Sequence, residues 1–467
     1  MGGRAWRTHT MIIVVLQLLC FIPTMVYSSF PSDGARDHQV MGFRVNMKHI
    51  DSQEISLLKR SQSAVERSKK RAGCISATLG QKQIEKHGNA KGYGSPVHVG
   101  NGEFLIEIGY GSPAIKSEGV LDTGSDIIWT QCFPCRKCYR QSVPLFDPKK
   151  SSTFSKLGCK DFFCTSALGP GQPGCNKKSG NCEFANAYSD GSKTRGYLVK
   201  DTLTLGNGST ISHAGFGCGI ENNVAPTFQG KLTGIVGMGR GPLSLASQVG
   251  AYLGKKRFSY CFLSYDKYFG GPPKTSPLFF GQLADLIDKS PVQTMKFVKN
   301  ELLPPFYYIP LTGIAVGGKG VKIPARIFNV KEDGSGGVII DSGTSLIQLA
   351  EGAYTPLADA IRAGINLRPV DGSSVGLDLC YAVKAGSALP RVPSLTFVFE
   401  GRLKYKFPLE NYFRQASDDL FCLAIIPLPP DSTSASVFGN IAQQNFHILY
   451  DDDSSTLSFQ SVACDSL

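Results

Sequence analysis

The chain has 467 residues, 42% of them hydrophobic, with 52 Gly and 27 Pro; that length exceeds what one hydrophobic core usually supports, and the apolar content excludes a disordered polymer. The formal charge of +12 would suit a nucleic-acid partner only if it were concentrated on the body of the protein. It is not: residues 1–29 carry +2, residues 30–92 hold twelve Lys/Arg against six Asp/Glu, and the remaining +4 is spread over 375 residues, so no phosphate-binding face is expected.

Residues 1–29 combine a basic start (Arg4, Arg7), an apolar stretch from Met11 to Ile22 and small residues at Ser28 and Ser29. That is the pattern of a secretory signal peptide, too short to stay in a bilayer. No later run reaches about 18 apolar residues and the end "SVACDSL" lacks an apolar tail. A soluble, exported protein without membrane anchor is expected, extracellular (apoplast-like) or alternatively vacuolar. Residues 30–92 are polar and basic, and "LLKRSQSAVERSKKR" (Leu57–Arg71) can form a helix with a charged face. They read either as a solvated linker or as a prosegment whose cations cover an acidic cleft until it is removed, which would make the protein a zymogen and the prosegment its own partner.

From Glu103 onward the pattern is one of short strands. "EFLIEIGYG" alternates, and "GYLVKDTLTLGNGSTISHAGFGCG" reads as hairpins around Gly-rich turns. "FYYIPLTGIAVGGKGVKIP" and "LTFVFEGRLKYKFPL" repeat the style, and the best helix candidate is Glu351–Ile365. A mostly β protein of two related lobes is predicted, residues 93–300 and 301–467. Asn207-Gly208-Ser209 is a glycan acceptor in an exported chain.

Of 14 cysteines, twelve lie from Cys132 onward, an even number that predicts disulfides in an oxidising compartment. "CFPCRKC" has no matching Cys or His cluster to complete a tetrahedral site, so neither metal nor other cofactor is expected.

The most informative feature is an internal echo. Apolar run, Asp, hydroxyl residue, Gly, hydroxyl residue occurs as Asp122-Thr123-Gly124-Ser125 and again 219 residues later as Asp341-Ser342-Gly343-Thr344. A second echo, "GIVGMG" (Gly234–Gly239) and "SVFGN" (Ser436–Asn440), follows in each half. A single Asp of this kind most simply caps a turn. Two, one per half, predict loops that meet across a cleft. At about 3 Å and an effective dielectric of about 20, two full charges repel by about 5 kcal/mol, or about four pKa units, so the pair shares one proton. One carboxylate can then take a proton from water attacking a peptide carbonyl while the other carboxylic acid donates to the developing oxyanion. Gly124 and Gly343 admit close backbone approach, and Thr123, Ser125, Ser342 and Thr344 can bond within or between the loops. Competing motifs are weaker: "GSSVG" (Gly372–Gly376) resembles a nucleophile elbow but follows no buried strand, and "GIAVGGKG" (Gly313–Gly320) lacks the hydroxyl residue of a phosphate loop.

Together "DTGSDIIWTQCFPCRKC", "YSDGSKTRGYLVKDTLTL", "FGCG", "GIVGMGRGPLSLASQ", "FSYC", "IIDSGTS" and "FGNIAQQNFHILYD" make the sequence resemble, from about Gly42 to its end, the pepsin-type aspartic proteases, specifically their plant nepenthesin-like branch. The resemblance implies a bilobal fold, a monomeric endopeptidase acting on proteins or peptides, and Asp122 and Asp341 as the catalytic pair. It implies that Tyr188 tips a flap over substrate with Trp129 beneath it as hydrogen-bond partner, Ser189 standing where relatives carry Gly. It also implies disulfides Cys132–Cys135, Cys138–Cys218, Cys159–Cys182, Cys164–Cys175, Cys261–Cys464 and Cys380–Cys422. Plant relatives of this fold that have become inactive inhibitors offer the alternative, a binding module; they typically lose a dyad residue, and this chain keeps both.

Overall fold

Short apolar runs broken by Gly and Pro leave few stretches long enough for helix, and strands dominate accordingly. The computed structural model describes residues 42–50, 56–69, 103–169, 171–188, 191–224, 232–264, 275–286, 290–384, 388–430 and 432–467. Glu351–Ala363 is helical, burying Ala353, Tyr354, Leu357, Ala358 and Ile361 along one face. A helix not singled out from sequence, Leu245–Leu253, lies in a Gly- and Pro-rich stretch and is fixed by local signals. The Ser244 hydroxyl accepts from the Ser247 amide, and Gly254 closes the helix at φ 73°.

One large sheet organises the molecule. Its strands run in the order Gln293–Lys296, Thr456–Ser461, Phe446–Asp451, Arg257–Cys261, Ser276–Gly281, Gly42–His49, Phe104–Tyr110, Ile115–Asp122, Leu232–Gly237, Trp129–Gln131, Thr210–Asn223, Lys193–Leu205, Asn181–Ala187 and Gly174–Asn176. The last strands of the chain therefore return to the first half. Phe446–Asp451 pairs antiparallel with Arg257–Cys261, from Arg257 opposite Asp451 to Cys261 opposite His447, and Cys261–Cys464 locks the return. The remaining strands of the second half form three four-stranded sheets. Phe104–Tyr110 does not alternate in exposure as its sequence suggests: every residue except Glu107 is buried, because Leu105 belongs to one hydrophobic core and Phe104, Ile106 and Ile108 to another on the opposite face.

Part of the basic segment 30–92 is woven into this frame. Gly42–His49 is an interior strand, with Val45 opposite Leu278 on one side and Met47 opposite Ile106 on the other, and Val45, Met47 and His49 are buried. The helix at 57–69 packs on the second half: Val65 joins a core with Leu346, Val375 and Leu377. Gln62 donates to the Ser374 carbonyl at 2.7 Å, Lys69 to the Gly376 carbonyl at 2.9 Å, and the Leu346 amide to the Ser68 hydroxyl at 2.7 Å. Arg67 pairs with Glu103 at 3.4 Å.

Four of the six disulfides differ from those implied by resemblance. Cys132 bonds Cys218 and Cys135 bonds Cys138, in place of Cys132–Cys135 and Cys138–Cys218. The reason is strand adjacency: Trp129–Gln131 runs parallel to Gly217–Gly219 and the Cys132 amide donates to the Gly219 carbonyl. That brings the Cys132 and Cys218 Cα atoms to 5.2 Å. Likewise Cys159 bonds Cys175 and Cys164 bonds Cys182, in place of Cys159–Cys182 and Cys164–Cys175. Burial sorts these pairs: Cys164 and Cys182 share the hydrophobic core beneath the turn Phe163–Ala167, while Cys175 sits exposed on an edge strand within reach of Cys159. Cys380–Cys422 joins paired strands.

Candidate active site

Asp122 ends the buried strand Ile115–Asp122, and Asp341 follows the buried strand Val338–Ile340. Each strand lies parallel to the apolar–Gly echo of its own half: Asp122 opposes Gly237, and Ile340 opposes Phe438. The glycines of those echoes are required. A Cβ on Gly237 would stand 2.3 Å from the Asp126 carbonyl, and one on Gly439 would stand 2.3 Å from the Leu346 carbonyl, so only Gly lets each loop fold back over its neighbour.

The two carboxylates are bonded alike. Asp122 accepts from the Gly124 amide at 3.0 Å and from the Ser125 hydroxyl at 2.5 Å. Asp341 accepts from the Gly343 amide at 2.8 Å and from the Thr344 hydroxyl at 2.7 Å. The amide bonds are the turn-capping ones that any such Asp could make. The bonds between the loops are not. The Thr123 amide donates to the Ser342 hydroxyl at 3.0 Å, and the Ser342 amide donates to the Thr123 hydroxyl at 2.9 Å. The Ser342 hydroxyl donates onward to the Leu121 carbonyl at 2.8 Å. Asp122 is 1% exposed and Asp341 fully buried. This reciprocal exchange holds the two acidic loops together.

Tyr188 lies at the end of the strand Asn181–Ala187, its amide donating to the Ser192 carbonyl at 2.7 Å. Its hydroxyl accepts from Trp129 Nε1 at 2.7 Å and Asn186 Nδ2 at 3.1 Å. Trp129 is fully buried below it. Ser189 lies outside the described residues. Asn207 is exposed on a turn in which its side-chain oxygen accepts from the Ser209 amide at 3.0 Å.

Several site residues were not singled out from sequence. Asn440 donates to the Ser342 carbonyl at 2.9 Å and Gln443 to the Asp341 carbonyl at 3.3 Å; both lie in or beside the second echo, which was the available signal. Asp126 accepts from the Gly241 amide at 2.8 Å. Burial pushes its carboxyl up to about 6; the Gly241 bond opposes this, while the charges of Asp452 and Asp122 add to it. Arg240 pairs with Asp452 at 2.9 Å close by.

All cysteines of "CFPCRKC" are in disulfides, and among the described residues no helix is long and apolar enough to cross a membrane.

Residues 104–282 match the family model described as xylanase inhibitor N-terminal, and residues 306–461 the one described as xylanase inhibitor C-terminal. The chain is 37% identical over 445 residues to aspartic proteinase nepenthesin-1 of Nepenthes gracilis, covering 95% of each. It is 36% identical over 428 residues to nepenthesin-2 of the same plant, covering 91% of this chain and 90% of that one. Among solved structures, edgp aligns with a TM-score of 0.63 at 18% identity over 78% of this chain and 92% of its own. Basic 7S globulin from soybean aligns at 0.58 and 16%, over 78% and 94%. At those identities the likeness is one of fold. The relatives that match nearly the whole chain are named aspartic proteinases. This chain belongs to the pepsin-type aspartic protease family, in its plant nepenthesin-like branch.

Proposed function

We propose that the protein is a secreted aspartic endopeptidase, made as a zymogen, in which Asp122 and Asp341 share one proton and activate a water between them. The observation that carries this reading is the equivalent bonding of two buried carboxylates on loops that exchange Thr123 and Ser342 hydrogen bonds. The ionised member takes a proton from the water as it attacks the peptide carbonyl, and the protonated member donates to the developing oxyanion. Thr123, Gly124, Ser125, Ser342, Gly343 and Thr344 hold the carboxylates. Tyr188, anchored on Trp129, closes over an extended peptide. No cofactor takes part.

Residues 30–92 are the prosegment. The helix at 57–69 bonds the Leu346 amide, five residues beyond Asp341, and so occupies chain immediately beside the acidic loop. Ion pairs of Arg67 with Glu103 at 3.4 Å and of Lys48 with Glu118 at 2.6 Å tie the segment to the body. The mature protein acts as a monomer outside the cell or in the vacuole and carries a glycan on Asn207.

The family-model descriptions favour one alternative, an inactive binding or inhibitor module. Retention of both aspartates supports the enzyme. Hydrolysis of a denatured protein at acidic pH, blocked by a pepstatin-like inhibitor and lost in Asp341→Asn, is the expected result. Inertness of the processed wild type from pH 2 to 8 would refute the enzyme and favour the binding module.

A further inference from the structure

Beneath the dyad lies a set of buried polar side chains with no place in the chemistry just described. Tyr260 is on Arg257–Cys261 and Tyr450 on Phe446–Asp451, the paired strands where the end of the chain returns to the first half. Their hydroxyls are 2.6 Å apart. Tyr260 donates its only proton to the Gln443 side-chain oxygen, so Tyr450 donates to Tyr260. Thr123 acts on the Tyr450 phenol, opposing the effect of burial on it, and its own hydroxyl donates to the Ile340 carbonyl at 3.4 Å. Gln443 uses its amide protons on the Asp341 carbonyl at 3.3 Å and the Phe438 carbonyl at 2.8 Å. The Ser342 amide donates to Thr123.

These bonds form one path. Tyr450 donates to Tyr260, Tyr260 to Gln443, and Gln443 to the carbonyl of Asp341, the residue before Ser342. Thr123, Ser342, Tyr260, Tyr450 and Gln443 are all fully buried. Every hydroxyl in a fully satisfied buried network has one orientation, and that fixes the groups at its ends.

We propose that Tyr450, Tyr260 and Gln443 are positioning residues of the dyad: their hydrogen-bonded path braces the Asp341 carbonyl from below and so sets how that loop meets the Asp122 loop. The path is not a proton relay. Burial raises both phenols far above their ordinary range and the Asp341 charge raises them further, so they stay neutral throughout the acid range and the alignment does not itself titrate.

This proposal rests on the protease reading above, and its test separates the two. Full-length chain, after processing, is compared as wild type, Tyr450→Phe, Tyr260→Phe and Tyr405→Phe. Tyr405 is the control: it is also buried and donates to the Ala442 carbonyl at 2.8 Å, one residue from Gln443 but outside the path. All three variants should lose similar thermal stability. Only Tyr450→Phe and Tyr260→Phe should lower kcat, by about tenfold with KM within about twofold, and draw the two limbs of the pH profile together. Their amides at Thr123 and Ser342 should also exchange hydrogen faster than in wild type, whereas Tyr405→Phe leaves them protected. Equal kcat, unchanged pH limbs and equal exchange in the path and control variants would overturn the proposal. An inactive wild type would refute the protease reading while the exchange comparison still decides the path.

Discussion

Asp122 and Asp341 each keep one carboxylate oxygen on a backbone amide and the other on a hydroxyl, so the two are bonded alike. Changing either to Asn preserves shape and removes the charge. Asp341→Asn is expected to lower kcat by at least about 1,000-fold with no loss of melting temperature, measured by peptide hydrolysis and calorimetry. Tyr188→Phe takes the hydroxyl away from Trp129 Nε1 and Asn186 Nδ2. An unpaired buried indole N–H costs about 1–3 kcal/mol, so the hairpin end loosens and KM should rise several-fold. Trp129 is the only Trp after Trp6; in chain made without residues 1–29 its emission should shift on this substitution, and an unshifted spectrum would separate Tyr188 from Trp129 in solution. At this scale the sequence was highly legible, because Asp, Gly and hydroxyl residues at fixed spacing are demanded by the loop itself. What it hid were Gln443 and Tyr450, whose role depends on strands paired 190 positions apart.

Among the elements, the turn from Asp122 to Ile127 folds under the Gly239–Gly241 stretch, and a Cβ on Gly241 would stand 2.1 Å from the Asp126 carboxylate. With its carboxyl pushed up to about 6 from an unfolded value near 4, Asp126 favours the folded state when protonated. Its contribution is fully present below about pH 4 and is lost as pH rises through 6, by up to about 3 kcal/mol. Asp126→Asn should therefore melt higher than wild type at pH 7 and no higher at pH 4; a constant difference between the two pH values would contradict this. Disulfide pairing belongs to the same scale and was the least legible part. Cys132 and Cys218 are 86 residues apart, and only the parallel pairing of Trp129–Gln131 with Gly217–Gly219, a long-range event, brings them together.

For the whole molecule, the main difference from expectation is Gly42–His49. Its segment reads as polar and basic, yet Val45, Met47 and His49 alternate and all are buried, a period-two pattern that a charge-based reading passes over. The strand lies inside the sheet, between Ser276–Gly281 and Phe104–Tyr110. Removing it exposes an unpaired row of backbone groups on both sides, so under the zymogen reading proposed above the strand either stays bound after cleavage or is replaced by another. Chain lacking residues 1–50 is expected not to regain native structure from denaturant, whereas full-length chain does; equal refolding yields by near-UV dichroism would contradict this placement. The two-lobe, mostly β plan was legible from turn spacing and the internal echo, but the return of Phe446–Asp451 to Arg257–Cys261 was not, since no local pattern specifies which distant edge a strand will join.

The central claim is that two buried carboxylates compete for one proton, and the pH dependence of kcat/KM for a single uncharged peptide substrate between pH 2 and 7 tests it most directly. The account predicts a bell with two carboxyl limbs about two or more units apart, reporting the pair. A single limb, with activity rising to a plateau at neutral pH, would contradict it.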